Sequence, residues 1–132
     1  MHRNLICVKK GDLYGPEYVI NLYEGVKRYQ QKKFLFHVFT DDDKHLPKRP
    51  DWIIHKLPDW KLTVNKFWFY KICMFNKDNG IVGRNLYIDL DCIIAGDLTE
   101  MWTYNNPKFV ICRDFNRVYI PKFTGVNSSV MS

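Results

Sequence analysis

The sequence predicts one α/β domain with a mostly parallel sheet and helices on both faces. Short apolar runs alternate with longer segments whose apolar residues recur at helical spacing. The apolar runs end on polar, acidic or glycine-bearing loops, as strands do when helical crossovers return the chain to the same sheet. At 132 residues the chain has the size of a single domain. No repeat, low-complexity tract or linker divides it. The domain is therefore expected to span residues 1–132.

Leu5 to Val8 reads as a first strand, and Lys9 to Gly15 as the polar loop that follows. Pro16 suits the first turn of a helix. Val19, Leu22, Tyr23, Val26 and Tyr29 continue that helix as one apolar stripe. Phe34 to Phe39 reads as a second strand, stopped by Thr40-Asp41-Asp42-Asp43, and Trp52 to His55 as a short third. Asn65 is placed to cap a second helix running to about Asn76. That segment is apolar nearly all round, so deep packing is expected. Lys71 is the charge in its middle. Asn79-Gly80 marks a turn. Leu86 to Ile88 reads as a buried strand ending at Asp89, and Phe109 to Cys112 and Val126 to Met131 as further strands.

Composition narrows the function classes without choosing one. Apolar residues make up 46% of the chain and aromatics 16%, which excludes a disordered chain. The net charge of +6 attracts phosphate in any form: nucleic acid, anionic membrane or nucleotide. No apolar run approaches the roughly 20 residues of a membrane helix, and the apolar part of the N-terminus is too short for a signal peptide. Cys7, Cys73, Cys92 and Cys112 lie far apart and form no Cys-x-x-Cys pair. They read as reduced core residues of a cytoplasmic protein. His2, His37, His45 and His55 show no ligand spacing and are expected to be structural.

In open parallel sheets, ligands bind beyond the carboxyl ends of the strands. Three segments fall there: the loop after the first strand with Lys9 and Tyr14, the segment Thr40-Asp41-Asp42, and Asp89-Leu90-Asp91. The last places two carboxylates inside the apolar run Tyr87 to Ile94. Burying an unpaired carboxylate costs several kcal/mol, so such residues need partners. Two carboxylates one residue apart can share a divalent cation, and their hard oxygen donors suit Mn²⁺ or Mg²⁺.

The segment Asn85 to Leu98 resembles the Asp-x-Asp segment of GT-A-fold glycosyltransferases, above all the family 8 group that includes glycogenin and bacterial galactosyltransferases. Phe39-Thr40-Asp41 resembles the strand end that contacts the nucleobase. Trp68-Phe69-Tyr70-Lys71 resembles the helix before the motif, where related proteins carry a lysine. Thr124 to Met131 is similar to the downstream Asn-Ser strand that faces the donor sugar. In size and pattern the chain also resembles very small phage-encoded glycosyltransferases.

The resemblance implies a Rossmann-like GT-A domain and a metal-dependent hexosyltransferase. The donor is a UDP-sugar, with glucose or galactose expected, and the acceptor is unknown. Asp91 would ligate the metal, and Asp89 the ribose, the metal or both. Lys71 would either face the diphosphate or snorkel at a helix edge. Tyr14 would stack on the base or pack on the following helix. Asp41, beside Thr40, would meet the uracil N–H or serve a turn. Asn127 and Ser128 would reach sugar hydroxyls or cap a strand end, and Asp97 and Asp114 are sugar contacts or plain surface charges. Family 8 enzymes usually add a histidine ligand well beyond the Asn-Ser strand. This chain ends at Ser132, so a C-terminally minimal domain is expected, and a second copy could cover apolar surface left there.

Three other readings compete. One is a donor-binding protein that does not transfer the sugar, or releases it slowly to water. Another is a basic nucleic-acid-binding module; scattered lysines and core-spaced aromatics weigh against it, and no nucleic-acid partner is expected. An Asp-x-Asp phosphatase of the haloacid-dehalogenase type would continue with Gly-Thr, where this chain has Cys92-Ile93.

Overall fold

A computed structural model describes residues 2–104, 108–120, 122 and 124–132, with the side chains of all but residues 115 and 117. The strands are β1 (Arg3–Lys9), β2 (Leu35–Thr40), β3 (Trp52–Lys56), β4 (Arg84–Ile88), β5 (Ile111–Arg113) and β6 (Val126–Met131). They form one sheet in the order β3-β2-β1-β4-β6-β5. The first four are parallel, and β6 and β5 continue the sheet antiparallel. Helix α1 (Pro16–Tyr29) follows β1, and the one-turn helix α2 (Thr99–Thr103) follows β4.

Strand alternation supplies both faces of the sheet. Leu5, Cys7, Phe36, Val38, Leu86 and Ile88 point to one side, where they bury Val19, Leu22, Tyr23 and Val26 of α1 together with Leu98 and Trp102. Pro16 starts α1, and the helix carries Glu17 in its first turn and Lys27 and Arg28 in its last. This order suits the helix dipole. Tyr23, Phe36 and Trp52 pack ring to ring, with centroids 5.6 Å and 4.8 Å apart, and fix α1 over β2 and β3.

Ile6, Phe39, Tyr87 and Met131 point to the other side, against Leu57, Phe67, Tyr70, Cys73 and Met74. This side also carries a polar row. His37 bonds to Asn4 and His55, at 3.2 Å and 2.9 Å, and Asn4 donates to Asn85 Oδ1 at 2.7 Å. Burial, with the His55 ring beside it, lowers the His37 pKa to about 4, and burial lowers that of His55. The row ties β4, β1, β2 and β3 together, so these two histidines are structural, as expected.

Three expectations need correction. The segment after β3 is a continuous 3-10 helix, Val64–Phe75, and only Tyr70 in it is buried. Val64, Trp68, Ile72 and Phe75 are exposed, at 52–73%. Phe67, Tyr70, Cys73 and Met74 meet the sheet, and the remaining apolar side chains of the segment face outward. The cap is Thr63, with Asn65 one residue inside the segment. β1 runs on to Lys9, so the following loop is shorter than the sequence suggests. All four cysteines are free, but Cys112 lies exposed on β5 and is not a core residue. No described helix is long and apolar enough to cross a membrane.

Candidate functional site

The sheet reverses direction of winding between β1 and β4, since β2 follows β1 on one side and β4 lies on the other. The crevice beyond the carboxyl ends at such a switch is the expected ligand position. A cavity of about 600 Å³ opens there. Its walls are the loop after β1 (Lys10 to Tyr14), Asp41 after β2, the 3-10 segment (Val64, Phe67, Trp68, Lys71) and the end of β4 (Tyr87, Asp89, Leu90, Asp91).

The two carboxylates of the Asp-x-Asp segment have different surroundings. The Asp89 N–H extends the sheet by donating to Ser129 O at 2.8 Å. Its carboxylate accepts from Lys71 Nζ at 3.0 Å and from the Tyr87 hydroxyl. Lys71 is 12% exposed; it also donates to Ser128 Oγ at 3.0 Å and lies over the Tyr87 ring. Lys71 is therefore pinned at the cavity wall, not snorkelling to solvent. Asp91 is exposed at the cavity edge with Tyr14 beside it. The Asp91 carboxylate is the main cause of the raised Tyr14 phenol pKa. Burial pushes the Tyr87 phenol far up, and Asp89 adds to it, so Tyr87 is a fixed donor to that carboxylate.

On the opposite wall, Lys10 pairs with Asp41 at 3.0 Å and lies over the rings of Phe67 and Tyr70. Burial alone would raise the Asp41 carboxyl pKa; the Lys10 ammonium and the Gly11 N–H outweigh it and hold the pKa below the usual value. Gly11 has φ +70°, and a Cβ there would lie 3.0 Å from the Phe67 ring. Glycine thus lets the loop fold against the 3-10 segment.

Of the residues singled out in the sequence, Tyr14, Asp41, Lys71, Asp89 and Asp91 come together here. Six do not line the cavity. Lys9 is buried, and its ammonium donates to Gly11 O at 3.0 Å, so it braces the loop from behind. Thr40 is buried and its hydroxyl closes a turn with Asp42. Asn127 caps the Ser129 N–H at 2.9 Å. Ser128 reaches the site only through Lys71. Asp97 and Asp114 serve local turns at Thr99 and Asn116. Lys10, Asp12, Phe67 and Trp68 line the cavity without having been anticipated as site residues. Lys10 is the first residue beyond β1, but the apolar run ends at Val8, so the sequence did not separate it from Lys9.

The hard oxygen donors of Asp91 and Asp89 suit Mg²⁺ or Mn²⁺. Asp91 fits a direct ligand; Asp89 already shares its charge with Lys71. No cluster of three or more His, Cys, Asp and Glu residues that could hold a metal occurs among the described residues. A cation at Asp91 would thus complete its shell with water and ligand oxygens.

The backbone is similar to that of the glycosyltransferase GlyE of Streptococcus pneumoniae TIGR4 in its apo form. The TM-score is 0.64 at 15% identity, over 99% of this chain and 33% of that one. It is also similar to the galactosyltransferase LgtC, solved with donor and acceptor sugar analogues, at TM-score 0.60 and 12% identity, over 97% of this chain and 56% of that one. The chain shares its fold with parts of these two proteins. The chain spans about a third of the length of GlyE and just over half that of LgtC. No protein-family model matches the sequence, and no curated protein matches it significantly.

Proposed function

We propose that the chain is a metal-dependent glycosyltransferase domain that binds a UDP-sugar, with glucose or galactose the expected sugar. The observation that carries this reading is the end of β4. An exposed carboxylate, Asp91, stands at the switch-point cavity beside the Lys71–Asp89 pair, in a fold shared with glycosyltransferases.

The residues divide the work. Asp91, with Asp89 behind it, would hold a divalent cation, which when bound neutralises the diphosphate as the glycosyl bond breaks. Lys71 brings a second positive charge to the cavity wall. Its pairing with Asp89 and its bond to Ser128 keep that charge in place before a ligand arrives. Tyr14 and Asp41 flank the loop after β1 and are the residues to stack on a base and accept from its N–H. Lys10 competes for Asp41, so a base would have to share or displace that bond.

The reading is tested by incubating the chain with UDP-glucose or UDP-galactose and Mn²⁺ and following UDP release. Release that needs Mn²⁺ and is lost in Asp91→Asn supports it. Tight, metal-dependent binding of the nucleotide-sugar with no release would favour a donor-binding protein. No binding of either sugar nucleotide would reject both.

A further inference from the structure

The opposite end of the sheet carries a second cavity, of about 970 Å³. It lies at the amino ends of β1 and β2, roughly 20 Å from the first, the length of a seven-residue strand. Five cations from four separate segments face it: Arg3 at the start of β1, Lys27 in the last turn of α1, Lys32 and Lys33 in the loop that follows, and Arg49 before β3. The one carboxylate on its wall, Asp51, is engaged by the Tyr23 hydroxyl.

Several of these cations are held in position. Arg3 is 9% exposed, donates to Gln30 at 3.1 Å and lies over the Trp102 ring. Arg49 lies over Tyr23 and Trp52 and pairs with Glu24, which does not line the cavity. Lys27 lies over Tyr23 and complements the carbonyl end of α1. Lys32 and Lys33 lie beyond the helix, are exposed, and form no ion pair or side-chain hydrogen bond among the described residues.

Like charges drawn to one concavity repel, and the repulsion is relieved by a ligand carrying several negative charges. The concave shape favours a compact ligand over a duplex or a membrane face, and the volume lies in the range of small-molecule sites. Guanidinium groups with lysines recognise phosphate oxygens particularly well. We propose that this cavity binds a compact polyphosphate, independently of the nucleotide-sugar site.

The test titrates the purified chain with inorganic triphosphate by calorimetry, without divalent metal and at fixed ionic strength. One site is expected. Its affinity should fall at least about tenfold in Lys32→Ala/Lys33→Ala and recover in Lys32→Arg/Lys33→Arg. Both residues are exposed, so circular dichroism should show an intact fold in each variant. Asp91→Ala should leave the affinity within about twofold. Absence of binding would overturn the proposal. So would loss in Asp91→Ala with none in the lysine variants. Tighter binding of a single-stranded oligonucleotide than of triphosphate, lost in the same lysine variants, would replace it with a nucleic-acid surface. Because the readout needs neither metal nor sugar, failure here leaves the UDP-sugar reading standing, and the reverse.

Discussion

At the carboxyl ends of β1 and β4, four carboxylates and two lysines share one cavity, whereas at the amino ends five cations face a single carboxylate. The same parallel strands frame both, so the contrast is made by the loops and segment ends. In the first cavity each lysine has a carboxylate partner, Lys71 with Asp89 and Lys10 with Asp41, which leaves Asp12 and Asp91 exposed and without an ion pair among the described residues. In the second, Lys32 and Lys33 lack such partners among the described residues. A matched site sets a particular carboxylate in place, while an unmatched one is poised for an anion. The net charge of +6 thus says little about the cavity that resembles an enzyme site.

Four substitutions or conditions would break or sharpen that contrast. Asp91→Ala should have the largest effect. Metal-dependent UDP binding should fall by about two to three orders of magnitude, with the thermal midpoint nearly unchanged because the side chain is exposed; calorimetry and a melting curve read the two. Acid comes next. His37 binds its proton at about 4 when folded and near 6.5 when unfolded, so the unfolded chain takes up the proton first. Stability is therefore lost as pH falls from about 6.5 towards 4, by about 3 kcal/mol for this group, and His55 adds in the same direction. Urea unfolding across that range should show the loss, and both cavities should fail together because the histidine row ties the four parallel strands. His37→Asn should flatten the profile.

Lys71→Ala should cost about 2 kcal/mol, since it strips a partly buried carboxylate of its cation. It should weaken UDP binding and leave triphosphate binding intact. Lys10→Ala should cost under about 1 kcal/mol, as its pair with Asp41 is partly open to water. Its effect should appear instead as a small change in UDP affinity.

Much of this was legible in the sequence. The apolar runs of β1, β2 and β4 and the stripe of α1 announced a mostly parallel α/β sheet. The two carboxylates after Ile88 were legible as a pair at a strand end, and the structure sets both on the wall of the switch-point cavity. Register and neighbours were not legible. Lys9 and Lys10 are indistinguishable by composition, yet one is the last residue of a strand and turns inward, while the next leaves the strand and faces the cavity. Thr40 and Asn127 carry groups that bind ligands or close turns equally well, and only backbone geometry decides. The apolar run Val64–Phe75 gave no periodicity to separate an α-helix from a 3-10 helix, so the exposed Trp68 could not be anticipated. The basic cavity draws on segments spread from Arg3 to Arg49, and only the fold makes them neighbours.

The central claim, that Asp91 and Asp89 mark a metal-dependent nucleotide site, is tested most directly by calorimetric titration of the purified chain with UDP, with and without Mn²⁺. Binding that appears only with Mn²⁺ is the expected result. Equal binding in both conditions, or none in either, would contradict it.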